Sequence, residues 1–320
     1  MMQMVKKPNA KMLDVRSLRN RKQMKKAMKY WQYYILLLPA ILYFAIFCYG
    51  PMYGVLIAFK NFMATKGIWG SDWVGLDNFA RFFESYYFWQ LIKNTLAISI
   101  YGLVVGLPLP IILALGLNEL KNGKYKNLVQ TVTYAPYFIS VVVICGMIIA
   151  FLSPTTGIIN KIIQVFGGEA IPFLSQGKWF STVYVLSGVW QGTGWGTIVY
   201  LASLSSVDPA LYEAAVLDGA SKVQRIWYID VRCIIPTIII MLILNCGNIL
   251  SIGYEKIFLL QNELNASSSE VISTYVYKTG LINAQYSFAT AVGIFNSVVN
   301  LILIGLVNKI ARKLSDISLW

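Results

Sequence analysis

Six stretches of this 320-residue chain contain no Lys, Arg, Asp or Glu: residues 31–59, 94–118, 127–152, 179–206, 233–254 and 286–308. The segments between and flanking them carry every charge of the sequence. A helix rises about 1.5 Å per residue, so about 20 residues cross the hydrocarbon of a bilayer. Each stretch exceeds that length, and the excess allows tilt. Lipid offers the backbone no hydrogen-bond partners, so each stretch is predicted to be helical. The pattern thus predicts an all-α polytopic membrane protein with six transmembrane helices. Pro39, Pro51, Pro108, Pro110 and Pro136 are expected to kink or end helices, because proline has no N–H to donate. Residues 270–281 read as one further short helix, and no internal repeat is visible.

Composition agrees with the pattern. The chain is 57% hydrophobic and 13% charged, against roughly 25% charged in ordinary soluble domains. The apolar block at Trp31 far exceeds the ~7–15-residue core of a signal peptide, and no cleavage site is expected after it. A net charge of +13 raises the question of nucleic acid, but ten of the 27 basic residues lie in residues 1–30. A basic tail ahead of a first span fixes topology and meets anionic lipid, so nucleic-acid binding is excluded. With the N-terminus inside, the inner segments 1–30, 119–126, 207–232 and 309–320 hold 19 Lys and Arg, and the outer loops hold eight. That bias places both termini in the cytoplasm. Tyr30, Trp31, Tyr33, Tyr34, Tyr86, Tyr87 and Trp89 fall at predicted interfaces and read as aromatic belts.

Catalytic and metal chemistry have little to work with. There is no histidine, the commonest general base and transition-metal ligand. Cys48, Cys145, Cys233 and Cys246 form no CxxC pair and read as small apolar residues. No GxxxxGK[ST] occurs, so nucleotide phosphates have no P-loop here. The predicted spans lack the intramembrane charges typical of ion-coupled carriers, and no charged ring or filter signature is present. These absences argue against the alternative of an ATP-independent secondary sugar transporter or channel, and no enzyme activity, bound cofactor or metal is expected in this chain.

The most informative segment lies between the fourth and fifth stretches, at residues 208–232. Asp208 is a good helix N-cap and Pro209 suits the first helical position. A helix is predicted from Ala210 to Leu217, ended by Gly219 in the left-handed conformation. Ser221 can cap a second helix from Lys222 to about Val231. Ala214 and Ala215 are small enough to let another surface approach, and Glu213 offers a charge to a basic partner.

The pattern Glu213-Ala214-Ala215, then Asp218-Gly219-Ala220 and, nine residues beyond the glycine, Ile229, resembles the EAA loop of ABC importer permeases. Tyr212 precedes the motif, Val231 takes a usual leucine place, and Arg232 stands where that family usually has proline. The resemblance covers roughly residues 30–320. The run Trp190 to Leu204 looks like the carbohydrate-uptake branch. The ending Ser315–Trp320 is similar to Gram-positive permeases for plant-polysaccharide oligosaccharides, including uronate-containing ones.

The resemblance implies a type I ABC importer permease that forms half of a sugar pore in a Gram-positive plasma membrane. It implies a cytoplasmic tail at 1–30, a transmembrane permease domain at 31–308 with its coupling loop at 208–232, and a second tail at 309–320. It further implies a second homologous permease subunit, two ATPase subunits carrying ATP and Mg, and an extracellular solute-binding lipoprotein. Coupling would rest on Tyr212, Glu213, Ala214, Ala215, Asp218, Gly219, Ala220 and Ile229.

Sugar sites pair aromatic faces with amides and hydroxyls. The candidates within the spans are Trp190, Gln191, Trp195, Asn245, Asn248, Ser251, Tyr254, Asn296 and Asn300. Asn245, Asn248 and Ser251 are three apart and would drift slowly around one helix face. They could equally hydrogen-bond neighbouring helices, and Gly192, Gly194 and Gly196 favour close helix approach.

Overall fold

The computed structural model describes residues 29–121, 123–315 and 318. The expected tail at 1–30 and the ending Ser315–Trp320 therefore lie almost wholly outside the described residues. The chain divides into two compact units, one ending at Leu56 and one beginning at Ile57.

The first unit is built on helix α1 (Trp31–Tyr43), which runs on through a π-helical turn at Phe44–Tyr49 and a helical turn at Gly50–Met52. Pro39 lies inside α1. No residue from Trp31 to Met52 is buried. An all-round apolar, uncovered helix is suited to lipid rather than water.

The second unit starts with a two-stranded antiparallel pair, β1 (Lys60–Asn61) and β2 (Asp72–Trp73), with Lys60 opposite Trp73. After α2 (Asp77–Phe83), helices α3 (Phe88–Gly106) and α4 (Pro108–Glu119) form one apolar run. It is interrupted at Leu107, ahead of Pro108 and Pro110.

The third stretch breaks at Pro136, as expected of a proline there. It is not one straight helix over 127–152: α5 (Lys124–Tyr134) and a 3₁₀ turn at Ala135–Phe138 meet α6 (Val141–Phe151) at a bend of 100°. Pro136 cannot donate to the helical ladder, and Ile139 is extended. Ser140 then restarts the helix, its hydroxyl accepting the Val143 N–H at 3.4 Å.

Helix α7 (Ile158–Val165) leads to α8 (Gly177–Leu204), which packs along α3 and α4 and also against α5. Four helices are long and apolar enough to cross a membrane: Trp31–Phe59, Phe88–Glu119, Lys222–Gly247 and Tyr286–Lys313. The bent α5–α6 pair makes a fifth among the described residues. Helix α8 has the length, at 28 residues, but Gly, Ser, Thr and Gln replace aliphatics along it.

The fifth stretch differs from expectation. After α9 (Pro209–Leu217) and α10 (Lys222–Arg225), a π turn at Ile226–Asp230 flows directly into α11 (Val231–Gly247). That helix ends seven residues before the predicted 254, and the chain becomes helical again at α12 (Tyr254–Leu260). A short α13 (Ile272–Tyr277) with a π turn at Lys278–Ile282 fills the predicted 270–281 helix, and α14 (Tyr286–Ser315) closes the fold.

Asn300 on α14 explains how the break after α11 is tolerated. Its Oδ1 accepts the Leu250 N–H at 3.1 Å and its Nδ2 donates to Ser251 Oγ at 2.8 Å. A side chain thus replaces the bond that a continuing helix would make.

Three apolar clusters hold the unit together. Ile98, Cys145, Phe180, Val185, Ile257 and Leu260 join α3, α6, α8 and α12. Phe82, Leu91, Ile272, Phe288 and Val292 join α2, α3, α13 and α14. Ala114, Tyr200, Leu204 and Ile234 join α4, α8 and α11, next to the segment that carries the EAA pattern.

Candidate functional site

The loop between α8 and α11 is a helix–turn–helix whose caps are all satisfied. Asp208 Oδ1 accepts the Ala210 N–H at 2.9 Å, and α9 starts at Pro209. Gly219 has φ +77°, a left-handed conformation that glycine adopts without a steric penalty. The Ala220 N–H donates to Ala215 O at 2.9 Å and the Gly219 N–H to Val216 O at 3.1 Å. This pair of bonds is a Schellman closure. Ser221 and Gln224 then form a reciprocal capping box.

Tyr212 anchors this loop from within. Its hydroxyl donates to the buried carboxylate of Asp230, and it also hydrogen-bonds the Asn118 side chain at the end of α4. Burial pushes the Tyr212 phenol well above its usual pKa, and the Asp230 carboxylate pushes it further in the same direction. One tyrosine therefore ties α9 to the start of α11 and to the end of α4.

The other candidate coupling residues face outward or are half-buried. Glu213, Ala214, Asp218 and Gly219 are exposed, and Ala215, Ala220 and Ile229 are half-buried. Around them Val216, Leu217, Val223, Trp227 and Tyr228 are also exposed, Leu217 to 88%. These residues form an exposed apolar patch beside satisfied caps, of the kind found at protein or membrane contact surfaces.

The departure at Arg232 has a structural reason. A proline there would remove a backbone N–H just where the π turn passes into α11, and the helix runs through without interruption instead. The Arg232 guanidinium lies 5.4 Å from the Tyr228 ring centroid. Asp230 was not foreseen as a site residue. An acid one turn before a long apolar run, with a tyrosine on the preceding helix, is the signal that points to it.

The candidate pathway residues are only partly brought together. A cavity of about 340 Å³ lies between α8, α11 and the α3–α4 run. Tyr184, Gly188, Gly192, Thr193, Gly196 and Asn245 help to line it. Trp195 stacks on Tyr137 at 4.5 Å with 4° between the rings, and Phe138 meets it edge-on at 6.0 Å. All three rings are substantially exposed, as is Trp190, so the bend after α5 forms an aromatic shelf beside α8. Gln191 bridges helices instead, donating to Ile139 O at 3.1 Å.

Asn245, Asn248 and Ser251, left open as one helix face or as bonds to neighbouring helices, do not share one helix. Asn245 and Asn248 donate to their own helix, to Met241 O and Leu244 O, and the helix stops at Gly247. Ser251 lies in the break, bound by Asn300. Tyr254 stacks on Tyr277 at 4.8 Å in a separate hollow of about 570 Å³ with Ser273, Tyr286 and Thr290. Asn296 Oδ1 is buried with no partner among the described residues.

The glycines divide by position. A Cβ on Gly194 would fall 2.0 Å from Thr133 O, and one on Gly196 would fall 3.1 Å from Pro110. Gly192 has open space. Close approach of α8 to α5 and α4 therefore rests on Gly194 and Gly196, and Gly192 is left to the cavity.

Several membrane-length apolar helices, with a capped, outward-facing loop between two long helices, define a polytopic membrane protein. The family of binding-protein-dependent transport system inner membrane components matches residues 106–316, and the chain belongs to it. Protein LplB of Bacillus subtilis (strain 168) is 45% identical over 90% of this chain and 90% of its own length. The polygalacturonan/rhamnogalacturonan transport system permease protein YteP of the same organism is 42% identical over 90% of this chain and 89% of its own. Among solved structures, a bacterial ABC transporter involved in the import of the acidic polysaccharide alginate aligns with a TM-score of 0.84. It shares 41% identity, covering 92% of this chain and 99% of that one. The same degree of similarity holds for that transporter in complex with an alginate pentasaccharide-bound periplasmic protein. The chain is thus a membrane-embedded ABC permease component of the sugar and oligosaccharide group.

Proposed function

We propose that this chain forms half of the translocation pore of an ATP-driven importer for acidic oligosaccharides, and that it couples to separate ATPase subunits through residues 208–232. The observation that carries the reading is the loop itself. Its two helices are fully capped, it is tied to α4 and α11 by Tyr212 and Asp230, and it presents exposed apolar residues with Glu213. A rigid exposed element continuous with a spanning helix can pass a partner's motion into the membrane.

On this reading ATP and Mg are held by the ATPase subunits, a homologous second permease completes the pore, and an extracellular solute-binding lipoprotein delivers the sugar. The chain crosses a Gram-positive plasma membrane six times, α8 included, with both termini in the cytoplasm. Support for six crossings comes from the 28-residue length of α8 and from the Lys and Arg bias of the loops. Support for an acidic sugar comes from the relatives' polygalacturonan/rhamnogalacturonan and alginate substrates. Trp195 and Trp190 beside the bend, and Asn245 in the cavity, are the proposed sugar contacts on this chain.

The test is affinity capture of the chain from detergent-solubilised native membranes with mass-spectrometric identification of partners. An ATPase, a second permease and a solute-binding lipoprotein are expected, and uptake in vesicles should require internal ATP. Capture of the chain alone, with ATP-independent uptake, would refute the proposal.

A further inference from the structure

A cation lies against the wall of the cavity beside α8. Lys256 on α12 reaches back over α8, where its Nζ donates to Tyr184 O at 3.2 Å and lies 4.9 Å from the Tyr184 ring centroid. A Cβ on Gly188 would come within 3.4 Å of the same nitrogen. Tyr184 and Gly188 both line the 340 Å³ cavity, so the ammonium lies against two residues of its wall, one of them a glycine with no side chain.

The lysine is held in place by its own backbone. Cys145 Sγ on α6 approaches the Lys256 carbonyl at 3.9 Å, and the next residue, Ile257, is fully buried in the cluster joining α3, α6, α8 and α12. The side chain itself is half-buried. Among the described residues the ion pairs are Lys66–Asp72 and Lys278–Glu270, and none includes Lys256. An ammonium has three N–H donors, and the one hydrogen bond given to it in the described structure uses a single one. A partly buried cation without a carboxylate partner is costly unless something anionic meets it.

We infer that Lys256 is a specificity-determining residue that receives the carboxylate of a uronate unit as an acidic oligosaccharide enters the cavity beside α8. This rests on the acidic-oligosaccharide reading above. A carboxylate at this wall would form a charge-assisted hydrogen bond with the free N–H groups, strengthened by the surrounding apolar cluster. A neutral sugar would meet the same ammonium with no charge to offer, which makes the wall selective as well as attractive. The Tyr184 ring, 4.9 Å from the nitrogen, favours the ammonium beside α8.

The experiment uses the whole importer complex in proteoliposomes with its solute-binding protein, and trigalacturonate as the acidic probe. Lys256→Gln is expected to lower the uptake rate at saturating loaded binding protein by about tenfold or more, the loss of one charge-assisted hydrogen bond. The half-saturating concentration of binding protein, subunit assembly and basal ATP hydrolysis should stay at wild-type values. Lys256→Arg keeps the charge and is expected to retain most of the uptake. Wild-type uptake by Lys256→Gln, equal loss in both variants, or loss of assembly and basal ATP hydrolysis would overturn the inference and leave Lys256 as a packing residue. A wild-type complex that takes up galactotriose but not trigalacturonate would instead overturn the acidic-substrate reading, and this inference with it.

Discussion

The Tyr212 hydroxyl donates to the Asp230 carboxylate, joining the first helix of the 208–232 loop to the turn that feeds α11. The two residues are 18 apart in sequence, and Asp230 is fully buried. The other Asp230 oxygen, Oδ2, has no partner among the described residues. Tyr212→Phe would therefore strip that carboxylate of the donor it has. The expected loss is about 1–3 kcal/mol, the penalty for an unsatisfied buried acceptor. Thermal melting of the purified complex checks it. Asp230→Asn should lower the melting temperature less, because a neutral amide is cheaper to bury and can still accept from Tyr212. A Tyr212→Phe complex that melts with wild type would remove this bond from the account.

Gly219 sets the angle between the two loop helices. Proline fixes φ near −65° and has no N–H, whereas Gly219 has φ +77° and donates to Val216 O. Gly219→Pro is expected to leave the chain in the membrane but abolish copurification of the ATPase. Gly219→Ala should cost about 1–2 kcal/mol, because a Cβ crowds the left-handed conformation. Normal ATPase capture with Gly219→Pro would show that the turn is not part of the docking surface.

Glu213 is exposed on the same loop and has no ion-pair partner among the described residues. Glu213→Lys should fold and insert normally yet lose ATP-dependent uptake, because a basic partner surface would now meet a like charge. Uptake at the wild-type rate would place the partner's contact elsewhere on the loop.

Gly194 and Gly192 offer a matched pair. Gly194→Ala forces a Cβ to within 2.0 Å of the Thr133 carbonyl, so α8 must move away from α5. The expected destabilisation is about 1–3 kcal/mol. Gly192→Ala meets nothing within 4 Å and should melt as wild type does. Equal melting of the two variants would contradict the helix contact described here.

Asn300→Ala should free the segment between α11 and α12. It leaves the buried Leu250 N–H without its acceptor and Ser251 without its donor, at about 1–3 kcal/mol. Hydrogen exchange confined to residues 248–253 is expected to accelerate. Unchanged exchange there would mean that the break is held by other contacts.

Much of this protein was legible because lipid leaves a chain few choices. Charge-free runs longer than a bilayer crossing had to be helices, and three of them, 31–59, 94–118 and 286–308, lie wholly within helices long and apolar enough to span. The caps of the 208–232 loop were equally plain: Asp208, Pro209, Gly219 and Ser221 act within three residues of themselves. Local chemistry of that kind is fully written in a short window. The π turn into α11 also matches the absence of the usual proline at position 232.

Long-range pairing was another matter. The bend after α5 falls at Pro136, where a break was expected, but its angle of 100° and the restart at the Ser140 cap are not visible in a count of apolar residues. The end of α11 at Gly247 depends on Asn300, fifty residues from Leu250. So three polar residues that could have shared one helix face became an intrahelical donor, a helix end and a bridged break. Lys256 shows the same limit, since sequence places it in a polar loop and the fold lays it over Tyr184, 72 residues earlier. The sequence by itself determined which segments suit lipid and how the exposed loop is capped, because burial in hydrocarbon and capping depend on composition and near neighbours. The tertiary structure alone decided how sharply the helices bend, which glycines are contacts and which cation lies against α8, because each of those depends on side chains that meet only after the helices have packed.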